Sequence, residues 1–288
     1  MLQSQITEWS LVYKVADNLV LEHRQCLIAG DGALPVAMVK SAVQNGFEII
    51  CISLSSDNYK ELKQHCSKIV SFGPGQVDSI RKFLIDEKIK QATFLGKVSK
   101  TMLIKRPKLE KTAISVLKEM KKLNDDAIML KIIEHMESVG ITILDQTIFI
   151  KNLMVQKGVL TKQAPSESQK ADIEYGFKIA KEMGGLDIGQ SVVIKDRMIM
   201  AIEAIEGTDR CIKRGCKLAG RKKATVVKVS KPAQDKRFDI PAVGLRTVKI
   251  MKRYGATTLA LESGETIIVD QDKMIDYANK HNIVIVAL

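Results

Sequence analysis

The chain has 288 residues, of which 45% are apolar and 27% are charged, and its formal net charge is +12. This composition is typical of a folded globular protein and excludes a disordered chain, and the length suits one large domain or two ordinary ones. No apolar run approaches the roughly 18 residues of a membrane-spanning helix. Residues 1–4 do not begin a secretory signal, so we expect a cytoplasmic protein.

The first half of the sequence predicts alternating strands and helices. Strands are expected over residues 26–29, 47–52, 68–72 and 92–96, and helices over about 35–44, 58–66 and 77–89. Such alternation favours a parallel α/β sheet. Residues 97–111 are basic and lack a clear period, which predicts a mobile loop. Two helices, at about 112–123 and 125–139, and a strand over 141–144 are expected to follow.

A polar stretch with Gly158 and Pro165 marks the predicted domain boundary. We expect a Rossmann-like, parallel-sheet domain over residues 1–157 and a second α/β domain with a mixed sheet over 166–288. The second half predicts helices over about 167–183, 207–218, 245–254 and 271–281. Its predicted strands cover 191–194, 198–205, 224–229, 258–261, 266–269 and 283–287, the first two as a hairpin.

All of the net positive charge lies between Arg210 and Arg253, where 15 Lys and Arg residues accompany only two acids, Asp235 and Asp239. The other 244 residues carry 30 basic and 31 acidic groups. Two carboxylates among many cations indicate a place where a polyanion is held and metal or proton chemistry is done on it. A solvated basic face is the alternative.

A glycine turn, Ala29-Gly30-Asp31-Gly32-Ala33-Leu34-Pro35, follows the first predicted strand. Glycines there let backbone N–H groups approach a phosphate, and the N-terminus of the next helix favours an anion. The segment is neither a complete G-x-G-x-x-G nor a P-loop with its lysine. A tight turn without a ligand is therefore the other interpretation.

Three oxygen-bearing side chains, Glu206, Thr208 and Asp209, lie close together in the segment 203–210. This spacing suits Mg²⁺, which takes a few carboxylates together with water and substrate phosphates. Alternatively, Thr208 or Asp209 simply caps the helix that begins there.

The segment Gln234-Asp235-Lys236-Arg237-Phe238-Asp239 lies between Pro232 and Pro241, which favours a fixed loop over a helix. A carboxylate beside cations has a lowered pKa and stays ionised, as a metal ligand or a water-orienting base must. A surface loop with local ion pairs is the alternative.

Six blocks of the sequence, taken in order, resemble the LpxI-type UDP-2,3-diacylglucosamine pyrophosphatases of lipid A biosynthesis. The blocks are AGDGALP (29–35), FLGKV (94–98), DIGQ (187–190), EAIEGTD (203–209), KPAQDKRFDIP (231–241) and VGLRTV (243–248). The resemblance runs from about residue 25 to residue 286. It departs at Lys100-Thr101, where the family often has Arg-Pro, and at Asn124-Asp125-Asp126, where Gly-Asp-Asp is usual.

The resemblance implies a cytoplasmic hydrolase at the inner face of the Gram-negative inner membrane, with its chemistry in the second domain. Such an enzyme cleaves the lipid-linked UDP-sugar UDP-2,3-diacylglucosamine with water, giving UMP and 2,3-diacylglucosamine 1-phosphate. It also implies Mg²⁺ as the cofactor, with Mn²⁺ as a substitute. A homodimer is left open.

The same resemblance implies the roles of individual residues. Asp209, Asp235 and Asp239 are the expected catalytic residues, and Glu206, Asp209 and Asp235 the expected metal ligands. The expected substrate-binding residues are Gly30, Asp31, Gly32, Lys97, Thr208, Lys231, Gln234 and Arg237.

A rival interpretation is a non-catalytic protein that binds nucleic acid or a nucleotide through the basic stretch. Aromatic residues are only 5% of the chain, and Phe238 alone lies inside the stretch, so rings that could stack on bases are scarce. We therefore expect no nucleic-acid partner. Since 15 cations exceed the needs of one pyrophosphate, we expect some of them to contact an anionic membrane surface, namely Lys222, Lys223, Lys252 and Arg253.

Overall fold

The computed structural model describes residues 20–98, 108–119 and 125–288. The chain divides into two compact units, residues 1–149 and 150–288. The first contains a parallel sheet of five strands and the second a mixed sheet of six, so the predicted α/β class is confirmed. Within the described ranges no helix is long and apolar enough to cross a membrane.

The first unit alternates strands and helices as predicted. Its strands are β1 (Arg24–Ala29), β2 (Glu48–Ser53), β3 (Lys68–Ser71), β4 (Gln91–Leu95) and β5 (Thr142–Ile143). Its helices are α1 (Leu34–Gln44), α2 (Tyr59–Lys63), α3 (Val77–Asp86), α4 (Lys111–Glu119) and α5 (Asp125–Glu137). Pro35 lies in the first turn of α1, where its missing N–H costs no hydrogen bond.

The strand order of the first sheet is β3-β2-β1-β4-β5, and every pairing is parallel. The central strand β1 and its neighbour β2 are almost entirely buried, which explains why their sequences are continuous apolar runs. The chain reverses its direction of winding between β1 and β4. In open α/β sheets, ligands bind outside the carboxyl ends of the strands at such a switch point.

The second unit contains eight strands and four α-helices in its described residues. The strands are β6 (Gly158–Val159), β7 (Ser191–Lys195), β8 (Met198–Ile202), β9 (Ala224–Lys228), β10 (Ala242–Gly244), β11 (Ala256–Leu261), β12 (Ile267–Val269) and β13 (Val284–Ala287). The helices are α6 (Glu167–Gly185), α7 (Thr208–Leu218), α8 (Leu245–Tyr254) and α9 (Gln271–Lys280). A single 3₁₀ turn, Lys151–Leu153, precedes them.

The six-stranded sheet has the order β6-β13-β11-β9-β7-β8, and β10 pairs separately with β12. The helices cover both faces of the larger sheet, so its central strands alternate between two cores. Val193, Val226 and Leu259 pack with α7, α8 and α9, whereas Val192 and Val227 pack with α6. This three-layer arrangement buries both faces, as in other α/β domains.

Several predicted elements differ from the structure at their ends or were missed. The strands β6 and β10 were not predicted because two or three residues are too few to show a period. In the predicted loop 97–111, residues 99–107 lie outside the described residues. The same holds for the last residues of the helix predicted over 112–123 and for Asn124. The domain limits drawn from the sequence, 157 and 166, stay a prediction.

The helix α7 lies unusually close to the second sheet because Gly215 has no side chain. A Cβ atom at this position would lie 2.5 Å from Cβ of Val193 in β7. The backbone of α7 therefore packs directly against the side chain of Val193 in β7. This close packing sets the position of the residues at the start of α7.

We predict that Gly215→Ala destabilises the protein by about 1–3 kcal/mol through overpacking, although alanine has the better helix propensity by about 1 kcal/mol. Gly185→Ala is the matched control, because a Cβ there meets no described atom within 4 Å. Urea unfolding of both variants measures the difference. Equal stabilities for the two variants would contradict the packing argument.

Candidate active site at one edge of the second sheet

The glycine turn of the first unit lies at the switch point of its sheet. The N–H of Gly30 donates to the carbonyl of Leu95 at 2.8 Å, and Asp31 and Lys97 exchange backbone hydrogen bonds of 2.8 and 2.9 Å. A Cβ at Gly30 would lie 2.6 Å from the carbonyl oxygen of Lys97, so only glycine allows this approach. The structure thus brings together the predicted substrate-binding residues Gly30, Asp31 and Lys97, which are far apart in sequence.

The side chain of Asn58 holds the other side of this turn. Its Nδ2 donates to the carbonyl of Gly32 at 2.6 Å and to that of Gly30 at 3.3 Å. The Oδ1 atom of Asp31 is buried and has no hydrogen-bond partner among the described residues. A buried acceptor without a donor calls for an explanation, and a bound ligand or water is the usual one.

In the second unit, three chain segments meet at one edge of the six-stranded sheet. Ser191 at the start of β7 pairs with Lys228 at the end of β9, and Val192 pairs with Ile202 at the end of β8. The segments before β7, after β8 and after β9 therefore share this edge, which we call the site edge. These segments contain the DIGQ, EAIEGTD and KPAQDKRFDIP blocks.

Glycine is required where two of these segments touch. A Cβ at Gly189 would lie 2.3 Å from the carbonyl oxygen of Glu203, so the segment before β7 passes directly over the end of β8. The N–H of Val229 donates to the carbonyl of Gln190 at 3.0 Å on the other side. The site edge is thus joined by backbone contacts.

At the start of α7, both predicted metal-binding carboxylates form ion pairs with arginines. Glu206, just before α7, pairs with Arg214 of that helix, and Oδ2 of Asp209 lies 2.9 Å from Nε of Arg246 at the start of α8. The hydrogen bond from Arg214 lowers the pKa of Glu206 below its ordinary value, which keeps this carboxylate charged.

The loop after β9 contains the other predicted site residues. Arg237 donates to the carboxylate of Asp235 through two nitrogens, with Nη2 2.7 Å from Oδ2 and Nε 3.1 Å from both oxygens. This hydrogen bonding lowers the pKa of Asp235. Asp239 accepts a 2.5 Å hydrogen bond from Nε2 of Gln234, whose Oε1 accepts from the N–H of Lys231 at 2.9 Å. The loop is therefore closed on itself by its own polar side chains.

Two further ion pairs anchor this loop. Nζ of Lys231 lies 2.6 Å from Asp187 in the segment before β7. At the start of the loop, Oε2 of Glu262 accepts from the N–H of Ser230 at 2.7 Å, while Lys181 of α6 donates to Glu262. The loop is fixed to its neighbours on two sides, as the two prolines around it predicted.

A buried polar network that the sequence did not reveal lies beneath these residues. Thr208 donates to Oε1 of Glu203 at 3.0 Å and accepts from Nζ of Lys228 at 2.9 Å, and its oxygen lies 3.3 Å from that of Ser191. Glu203 and Lys228 are only 7% and 5% exposed. Glu203 and Lys228 are 25 residues apart in the sequence, so no local pattern revealed that they belong to one network. The one available signal was a lysine at the end of the buried strand β9.

The oxygen ligands suit a hard cation such as Mg²⁺, but they do not form a complete cage. Among the described residues, no three His, Cys, Asp or Glu side chains converge on a point where a metal ion could be held. Mg²⁺ is commonly held through one or two carboxylates together with water and substrate phosphates. The site therefore suits a cation that binds together with a diphosphate.

The predicted site residues thus fall into two groups. Thr208, Glu206 and Asp209 lie at the start of α7, while Lys231, Gln234, Asp235, Arg237 and Asp239 lie in the loop after β9; both belong to the site edge of the second unit. Gly30, Asp31, Gly32 and Lys97 form a separate cluster in the first unit. Cations, ionised carboxylates and a helix N-terminus at one edge can bind and cleave a phosphate-containing substrate.

Comparisons with known proteins agree with the resemblance of the six blocks. The model of the LpxI N-terminal domain matches residues 24–153, and the model of the LpxI C-terminal domain matches residues 156–286. UDP-2,3-diacylglucosamine pyrophosphatase LpxI of Caulobacter vibrioides is 30% identical over 263 residues, covering 88% of this chain and 93% of that protein. The chain therefore belongs to the LpxI family.

Proposed function

We propose that this protein hydrolyses the pyrophosphate bond of UDP-2,3-diacylglucosamine, releasing UMP and 2,3-diacylglucosamine 1-phosphate in lipid A biosynthesis. The observation that carries the proposal is the similarity to the Caulobacter pyrophosphatase along 88% of the chain. The site edge supports it, because its cations and helix N-terminus suit a diphosphate. The glycine turn of the first unit supports a nucleotide partner. We place the reaction in the cytoplasm.

The nucleic-acid alternative receives no support from the fold. Several cations of the basic stretch are already paired with carboxylates, such as Arg237 with Asp235 and Arg246 with Asp209. The aromatic ring nearest to several others, Tyr254, lies 5.8–5.9 Å from Lys213, Arg221 and Arg253. Because these cations already lie over the ring, less of its face is open to a base.

The lowered pKa of Asp235 bears on its role. A general base works best when its pKa lies near the working pH. Because Arg237 holds the pKa of Asp235 below its ordinary value, Asp235 suits the orientation of water or the binding of a cation better than the removal of a proton. Asp239, whose partner is the neutral amide of Gln234, is then the better candidate for the base.

The proposed cofactor is Mg²⁺, for which Mn²⁺ can substitute. When bound, it would neutralise oxygens of the diphosphate and favour attack by water. Glu206, Asp209 and Asp235 are the candidate carboxylates, of which one or two would hold the cation together with water and the phosphates of the substrate. Each of the three carboxylates forms an ion pair with an arginine here. Binding of the cation would thus also release arginines for the phosphate oxygens.

We predict that EDTA abolishes the release of UMP from UDP-2,3-diacylglucosamine and that Mg²⁺ or Mn²⁺ restores it. The physical reason is that two adjacent phosphates repel an incoming water oxygen unless a cation offsets their charge. Chromatographic measurement of UMP checks the prediction. Full activity in EDTA would remove the metal from the mechanism.

We predict that Asp235→Asn and Asp239→Asn each lower kcat by ~10²–10⁴-fold while KM changes little. Asp272→Asn, a change at an exposed acid on α9, is the control and should leave kcat within about twofold. Steady-state kinetics of UMP release separates kcat from KM. If both loop variants keep a near-normal kcat, the catalytic role passes first to Asp209.

Peripheral binding at the inner membrane is part of the proposal, but the structure favours a different contact surface from the one expected. Lys222 and Lys223 precede β9, and Lys252 and Arg253 end α8. All four are exposed, but they lie at the opposite end of the strands from Lys228. The five residues of β9 separate Lys223 from Lys228 by about 16 Å.

Exposed apolar side chains lie instead in the segments of the site edge. Leu186 is 73% exposed and Ile205 is 98% exposed, and Ile188 between them is also exposed. A lipid substrate has to reach the site edge with its acyl chains still close to the bilayer. We therefore propose that these three side chains contact the lipid.

We predict that Leu186→Ser with Ile205→Ser weakens co-sedimentation with vesicles by several-fold, because about 25 cal/mol is lost per Å² of apolar surface that is no longer buried. Changing the four distant cations to Gln should weaken binding less, and only at low salt. Anionic and neutral vesicles are compared for each variant. If the four cation changes weaken vesicle binding more than the two apolar changes do, the cations and not the apolar side chains form the membrane contact.

A further inference from the structure

Lys228 is a deeply buried charged residue that the proposed reaction does not yet use. It stands at the end of a central strand, is 5% exposed, and donates to the hydroxyl of Thr208 at 2.9 Å. Placing an ammonium group in a core costs several kcal/mol unless it is paired. The nearby carboxylate of Glu203, joined to Lys228 through Thr208, offsets this cost.

Thr208 is the first residue of α7, so the network lies at a helix N-terminus. The cap residue Gly207 has a φ of 81° and has no side chain that could accept a hydrogen bond from the first turn. The first N–H groups of a helix have no partner within the helix and carry a partial positive charge. Lys228 therefore adds its charge at a place that already favours an anion.

A second observation points to a ligand at this place. The Oε2 atom of Glu203 is buried and has no hydrogen-bond partner among the described residues, while its Oε1 accepts from Thr208. Such a carboxylate oxygen needs a donor, and at a buried position the donor is usually an ordered water or a bound molecule. A hydrated phosphate would place an anion beside Lys228 and a water within reach of Glu203.

We propose that Lys228, Thr208 and the first turn of α7 form a subsite for one phosphate of the diphosphate, with Glu203 as the residue that positions Lys228. The proposal rests on the proposed function and extends it to two residues, Lys228 and Glu203, that the sequence pattern did not assign. Asp209 and Glu206, one and two residues from Thr208, then lie beside the same phosphate.

Inorganic pyrophosphate is the probe, titrated calorimetrically into the full-length protein. Lys228→Met should weaken its binding tenfold or more, the loss expected for one charge-assisted hydrogen bond. Lys195→Met is the matched control. It removes the same charge from β7, where Lys195 donates to the carbonyl of Ala219 at the opposite end of α7. The control should bind pyrophosphate within about twofold of the unchanged protein.

Glu203→Gln separates the phosphate subsite from a purely structural network. Gln keeps an oxygen that can accept from Thr208, so the position of Lys228 is retained while a negative charge beside the anion is removed; pyrophosphate binding should be unchanged or stronger, whereas Lys228→Met weakens it. A network that only holds the fold together predicts weaker binding for both variants. Weakening by Glu203→Gln, or equal weakening by Lys195→Met, would overturn the proposal.

If Lys228→Met does not fold, the double variant Lys228→Met with Glu203→Gln also removes the buried carboxylate charge that the single change leaves behind, and it should fold. It should still bind pyrophosphate at least tenfold more weakly. Absence of pyrophosphate binding by the unchanged protein would also overturn the proposal. Release of UMP by the unchanged protein is measured separately. The subsite and the proposed reaction can therefore fail independently.

Discussion

The pairing of β9 with β7 is the constraint on which the site edge depends. Its register sets Ser191 opposite Lys228 and thereby brings Glu203, at the end of β8, and Thr208, at the start of α7, to the same edge. Side chains alternate between the two faces of a strand, so a slip of one residue would turn Lys228 away from α7. The valines of β9, buried in two different cores, make such a slip costly.

Charge at the site edge is organised by pairing. Arg214, Arg237 and Arg246 each form an ion pair with a carboxylate that the sequence analysis assigned to metal binding. At Glu206 and Asp235 the hydrogen bonds from the arginines lower the pKa of the carboxyl group, which keeps these two side chains charged. Ion pairs near the surface contribute little to the stability of a fold, which agrees with the ligand-binding role proposed for these residues.

In each unit, close backbone contacts at glycines position the candidate site residues of that unit. Gly215 lets α7 approach β7, Gly189 lets a loop pass over Glu203, and Gly30 lets the turn after β1 contact Lys97. At each of these positions a methyl group would collide with backbone or with a rigid β-branched side chain. Gly30 of the AGDGALP block and Gly189 of the DIGQ block are therefore explained by packing, independently of any role in binding.

The sequence by itself determined the α/β class, the order of nearly all strands and helices, and the blocks that belong to the family. These features depend on local periodicity, on turn residues such as Gly30 and Pro35, and on short motifs. Tertiary structure decided which residues meet: Asp209 with Arg246, Lys231 with Asp187, and Lys228 with Glu203 through Thr208. Such contacts depend on strand register and helix packing across tens of residues, and no local pattern encodes the partner of a buried charge.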